Sequence, residues 1–144
     1  VGHERILIKN LIFNKNIKIL ENLDYKRGIG TSISLGVKHL ETDIDGVMVI
    51  PADMPYLNSK DLINLEQKFM DLNCKKVVMP EHNSRIGNPV ILPRIYFNIL
   101  KNLKYDFGAR SLISKKDIIT LKTGFGTIFD IDTTDELVKP KTSF

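Results

Sequence analysis

The sequence predicts an α/β fold, a three-layer α/β/α sandwich around a mostly parallel sheet, and three observations carry that expectation. Apolar positions switch repeatedly between helical spacing and short continuous runs of β-forming residues. The longest such run, Val47-Met48-Val49-Ile50, is apolar at every position and is stopped by Pro51, as expected of a central strand covered on both faces. Polar motifs follow directly on the strand-like runs, and in open α/β sheets ligands gather where the strands stop.

In chain order, Ile6, Leu7, Asn10, Leu11 and Phe13 give a first helix, and Ile17, Ile19 and Leu20 a short strand. Residues 22–31, with Gly28 and Gly30, read as a loop feeding a helix that starts near Thr31 or Ser32 and carries Ile33, Val37 and Leu40 on one face. After the central strand, Leu62, Ile63, Leu65, Phe69 and Met70 predict a helix over 59–72, with Asn58 or Ser59 as N-cap and Asp61 favourable in its first turn. Lys76 to Met79 is the next strand, 80–88 a polar loop, and 89–92 a short apolar run closed by Pro93. Helices are expected over 95–103 and 107–114, strands over 118–121 and 127–131, and a last helical turn near 134–137.

The 144 residues suit a single domain, and 42% hydrophobic with 26% charged residues is ordinary for a soluble globular chain, which sets aside disordered, collagenous and disulfide-scaffold classes. The lone Cys74 permits no intrachain disulfide and fits a cytoplasmic protein. No apolar stretch approaches the roughly 20 residues that cross a bilayer. The net charge of +4 comes from scattered lysines and not from a basic run with interleaved aromatics, so nucleic acid is not the expected partner. His3, His39 and His82 lack metal-ligand spacing.

Three strand ends carry candidate chemistry. Asp53, within Pro51-Ala52-Asp53-Met54-Pro55, sits just past the central strand between two prolines, either as a ligand or as a cap on the turn into the next helix. Asp130 and Asp132 share one side if the last strand continues, and Asp132 reads equally as a ligand or as a helix N-cap. Two carboxylates from separate strand ends are the usual protein share of a Mg²⁺ site that also holds phosphates and water. The run Gly28-Ile29-Gly30-Thr31-Ser32 opens a helix and either caps it or offers amides and hydroxyls to an anion or a nucleobase edge.

Together with Asn22-Leu23-Asp24-Tyr25 leading into the glycine run, Arg85-Ile86-Gly87-Asn88-Pro89-Val90 and Phe107-Gly108-Ala109-Arg110, these motifs resemble, in order and over nearly the whole chain, the MobA-like nucleotidyltransferases, and among them the molybdenum cofactor cytidylyltransferases. The resemblance implies a nucleotide-diphospho-sugar transferase (GT-A-like) fold and the transfer of a nucleoside monophosphate from CTP, ATP or GTP to a phosphorylated acceptor. It implies Asp53 and Asp132 as magnesium ligands with Asp130 in reserve, and Gly28, Gly30 and Ser32 at the nucleotide. Arg85, Gly87, Asn88, Pro89 and Arg110 would face the acceptor, a molybdopterin-type phosphate whose product a molybdenum hydroxylase receives. Each arginine reads equally as a surface or ion-pair residue. Other acceptors on this fold are sugar or alcohol phosphates, and a non-catalytic cofactor-handling factor is the remaining class. The family opens with a strand and a Leu-Ala-Ala-Gly-x-Ser-x-Arg-Met-Gly type loop that holds the triphosphate. No such segment occurs here, so the resemblance implies a domain whose front precedes Val1 and a chain inactive by itself.

Overall fold

The structure is a computed structural model and describes residues 1–12, 16–104 and 113–133. The chain forms two compact units, one of residues 1–44 with 94–114, the other of residues 45–93 with 115–144.

In the first unit, helix α1 (Arg5–Leu11) buries none of its residues. It is tied by charge, through Arg5 and Lys9 to Glu21 at 3.1 and 2.6 Å. Residues 17–20 are not a sheet strand. They run beside Val1, whose amino group donates to the Leu20 carbonyl while Asn22 N donates to the Val1 carbonyl, at 2.7 and 2.8 Å. A short 3-10 turn (Tyr25–Arg27) leads to Gly28, whose φ of 109° lies where only glycine sits without strain. Helix α2 (Ile29–Lys38) therefore begins directly after that glycine, two residues earlier than periodicity suggests. Its buried Ser34 donates to the Lys101 carbonyl at 2.6 Å, just beyond helix α4 (Phe97–Leu100), which a 3-10 turn over 94–96 introduces.

The hydrogen bond from Lys9 and then its charge hold the Glu21 carboxyl below its ordinary 4.5, with Arg5 adding to the effect. A depressed carboxyl contributes stability above the unfolded value and loses it as pH falls through the folded pKa. An NMR titration should find Glu21 titrating below the ordinary value and moving up towards it in Lys9→Met, with Arg5 still holding it down in part. An unchanged Glu21 titration in that variant would contradict this account.

The second unit holds the sheet. Strand β1 (Gly46–Val49) is followed by helix α3 (Ser59–Asp71), β2 (Val77–His82), β3 (Arg85–Ile86), β4 (Val90–Pro93) and β5 (Ile118–Lys122). As the sequence predicts, Asn58 caps α3, its side chain accepting from Asp61 N at 2.9 Å. Leu65 and Phe69 of α3 pack on Val78 and Ile91, with Met48, Leu72, Cys74 and Leu121 around them.

The sheet is mixed, not mostly parallel. Of the described pairings only β2 with β5 is parallel; β1 with β4, β2 with β4 and β2 with β3 are antiparallel. The reason is local. Asn83 and Ser84 both take positive φ, at 49° and 63°, making a two-residue hairpin turn that forces the chain after β2 to return beside it. Because the returning strand lies between β1 and β2, these two never meet directly. β1 is accordingly half-buried and pairs only with β4 among the described strands. The central place belongs to β2, where consecutive residues Val77, Val78, Met79 and Pro80 are all buried.

β3 and β4 are two halves of one interrupted strand. Glu81 pairs with Ile86 but Val78 with Ile91, so three steps along β2 match five on the partner. The extra residues form a bulge at Gly87-Asn88-Pro89, the segment expected to border an acceptor.

Candidate functional site

The bulge is aimed at an irregular segment that the periodicity takes for a strand. Residues 127–131 are not one. A 3-10 turn (Phe125–Thr127) follows β5 and the chain then runs without regular structure to Thr133. Two glycines around an aromatic, Gly124-Phe125-Gly126, are the punctuation that marks this break.

Four close approaches fasten the segment. Gly124 N donates to both carboxylate oxygens of buried Asp61 at 3.2 and 3.3 Å, while Asn58 Nδ2 donates to the same side chain at 2.8 Å. Gly126 lies so close to Tyr56 that a Cβ there would stand 1.9 Å from the Tyr56 carbonyl oxygen. Asn88 N donates to the Thr127 carbonyl at 2.8 Å, and a Cβ on Gly87 would meet that oxygen at 1.9 Å. Last, Ile131 N donates to the Asp53 carbonyl at 2.9 Å. Within the turn, the hydroxyls of Thr123 and fully buried Thr127 share a 2.8 Å hydrogen bond, and His82 Nδ1 donates to the Thr123 carbonyl at 2.8 Å. Tyr56, Phe125 and Phe129 complete the fastening, Phe129 lying 5.1 Å from Tyr56 and 5.2 Å from Phe125 between ring centroids.

The structure thus brings together, in the second unit, the backbones of Asp53 and of Asp130 to Asp132, and joins the Gly87 to Pro89 bulge to the same segment through Thr127. Asp53, Asp130 and Asp132 are exposed. The N-cap of α3 is Asn58 and not Asp53. Arg85 is exposed on β3, and Pro89 is buried. Among the described residues no group of three or more His, Cys, Asp or Glu side chains is arranged around a metal-sized space, so a cation here would take one or two carboxylates and complete its shell with substrate and water. Arg110 lies outside the described residues.

In the first unit, Gly28 precedes α2, Gly30 is buried in its first turn and Ser32 is exposed there. Periodicity missed what fixes this loop. Buried Asn22 donates through Nδ2 to the hydroxyls of Thr31 and Ser32 at 2.8 and 2.9 Å, and its Oδ1 accepts from Asp24 N at 3.0 Å. Ser32 Oγ therefore accepts internally and keeps its proton to donate outward. A buried Asn beside a glycine loop has no sequence periodicity to reveal it.

Asp61 is likewise visible in the sequence only as a first-turn acid. Asp61→Ala leaves Gly124 N and Asn58 Nδ2 without their acceptor, and should cost about 2 kcal/mol in urea unfolding. A midpoint equal to that of the unaltered protein would show that the carboxylate does not hold the turn.

The α/β fold with its mixed sheet resembles solved nucleotidyltransferase structures. The Rv0371c protein of Mycobacterium tuberculosis H37Rv superposes with a TM-score of 0.79 at 18% identity, over 95% of this chain and 70% of that one. 4-Diphosphocytidyl-2C-methyl-D-erythritol synthase of Anaerococcus prevotii gives 0.73 at 12%, over 93% and 71%. Molybdopterin-guanine dinucleotide biosynthesis protein A of Archaeoglobus fulgidus gives 0.56 at 15%, over 94% and 72%. The Rv0371c protein has also been solved in complex with manganese. No curated protein matches the sequence. Residues 2–119 match the MobA-like NTP transferase domain, and the chain belongs to that family. Membership brings with it an NTP substrate. Among the described residues no helix is long and apolar enough to cross a membrane.

Proposed function

We propose that the protein transfers CMP from CTP to the phosphate of a molybdopterin-type acceptor and releases pyrophosphate, the product passing to a molybdenum hydroxylase. The observation that carries this reading is the Ile131 to Asp53 backbone bond, which supports a shared cation by setting two carboxylate-bearing segments side by side. Asp53 and Asp132 are hard oxygen donors of the kind Mg²⁺ takes in ones and twos, and they would hold it, with Asp130 in reserve. Bound there, the ion supplies neutralisation of phosphate charge.

The chain's own residues bind and orient. Gly28 keeps the loop backbone open to the nucleotide, Gly30 sits in the first turn of α2 beside it, and Ser32, held by Asn22, donates its hydroxyl proton to the base. Arg85, Gly87, Asn88, Pro89 and Arg110 border the acceptor, the arginines meeting its negative charge. An acceptor phosphate oxygen bonds to the α-phosphorus as the bond to the β-phosphate bridge oxygen breaks, and pyrophosphate leaves with the electron pair. Because a phosphate is already ionised at neutral pH, no protein nucleophile or general base is needed.

Cytidylyl transfer stands in the name of one structural neighbour and a guanine dinucleotide in that of another, so nucleotide choice is the point to test. Pyrophosphate release by the full product of the gene should be fastest with CTP, slower with GTP and ATP, and dependent on molybdenum cofactor. Turnover only with a sugar or alcohol phosphate would replace the acceptor, and cofactor binding without pyrophosphate release would make the protein a handling factor.

A further inference from the structure

We infer that the first unit carries a second, separate binding site for a small polyvalent anion of the phosphate class. A cavity of about 220 Å³ opens there, and its lining includes none of Gly28, Gly30, Ser32, Asp53 or Asp132. Among the described residues, four basic ones, Arg27, Lys38, Lys101 and Lys104, line it with a single acidic one, Asp24. That carboxylate faces Arg27 at 3.7 Å. Among the described residues no carboxylate lies within ion-pair distance of Lys38, Lys101 or Lys104.

The neutral polar groups of the wall are satisfied internally: Ser34 donates to the Lys101 carbonyl, Asn22 to Thr31, and Asn102 Nδ2 to the Asn98 carbonyl. They fix the wall and ask for no ligand. The charge does. Cations converging on one concavity repel each other and focus a positive potential into it, which an anion with two or more charges relieves. Lysine ammonium groups meet phosphate as point charges and need no bidentate geometry. The volume accommodates one or two phosphoryl groups, so inorganic pyrophosphate is the fitting probe and the phosphate arm of a nucleotide the alternative source of the same chemistry.

Calorimetric titration of the full 144-residue chain with pyrophosphate, in EDTA so that no divalent cation bridges the ligand to the aspartates, should show one saturable site that weakens steeply with salt. Lys38→Gln with Lys101→Gln should weaken it about tenfold or more. Asp53→Asn should leave it unchanged, which separates this site from the proposed catalytic one. A parallel titration with CTP distinguishes the sources: tighter binding of CTP than of pyrophosphate assigns the site to a nucleotide phosphate arm, the reverse order to the free anion, and both keep the phosphate class. No saturable binding, equal binding in the lysine variant with its fold intact by circular dichroism, or loss of binding in Asp53→Asn would each overturn the inference. Lysine variants that only lower the melting temperature would mean that these side chains serve helix C-termini alone.

Discussion

Asp53→Asn in the full gene product should lower nucleotidyl transfer about a thousandfold while leaving the unfolding midpoint where it was. The activity loss follows from the proposed metal role, which would lose one of its two carboxylates; an amide oxygen is neutral and a far weaker ligand for a hard cation. The preserved stability follows from the structure, since Asp53 is exposed and contributes to the fold through its backbone carbonyl, which Asn retains. Asp132→Asn should lower transfer to a similar extent, with Asp130→Asn close to the unaltered protein in turnover. A reversed order between those two would move the ligand role to Asp130, and an Asp53→Asn protein within tenfold of full turnover would remove the metal assignment. Chelation should abolish turnover, and restoring Mg²⁺ should recover it.

Gly87→Ala should be among the most damaging single changes for stability, costing about 3 kcal/mol or more. Its Cβ would stand 1.9 Å from the Thr127 carbonyl oxygen and 2.9 Å from an Ile128 side-chain carbon. Neither neighbour yields easily, because Thr127 is fully buried and its carbonyl also accepts from Asn88 N. Separating bulge and turn would release that hydrogen bond as well. Gly36→Ala is the contrast. It lies within α2 with nothing inside 4 Å of an added Cβ, so alanine there should gain about 0.5–1 kcal/mol by reducing the freedom of the unfolded chain. Urea denaturation of the two variants side by side checks both signs. Equal midpoints would show that the close approach at Gly87 relaxes without cost.

Helix α3 was legible, its cap narrowed to Asn58 or Ser59, because its signals lie within a dozen residues of one another: the cap, the Asp61 in its first turn and an apolar face at helical spacing. Strand β5 was legible as a β-rich run. The hairpin was not. Asn83-Ser84 is a weaker signal than a glycine-bearing turn, and reading residues 80–88 as plain loop hid the antiparallel return that makes the sheet mixed. Val47 to Ile50 looked central because a continuous apolar run is ambiguous between a strand covered on both faces and one with a neighbour on one side only.

What the sequence by itself determined is helix α3, the β-rich runs of β1, β2, β4 and β5, the α/β class and the polar motifs, since each depends on residues near one another in the chain; the expected strands at 17–20 and 127–131 did not form. Tertiary structure alone decided how those motifs meet. The segment after β5 gives up strand pairing because the Asp61 carboxylate and the backbones of Tyr56, Asn88 and Asp53 hold it by long-range contacts, and these carry no sequence periodicity. Two glycines admit the close approach, and a buried carboxylate from a helix more than fifty residues earlier anchors the turn. The same argument applies to Asn22, whose amide sets the Ser32 hydroxyl across the glycine loop. Local propensity chooses elements; hydrogen bonds and sterics between distant segments choose which strand ends become neighbours.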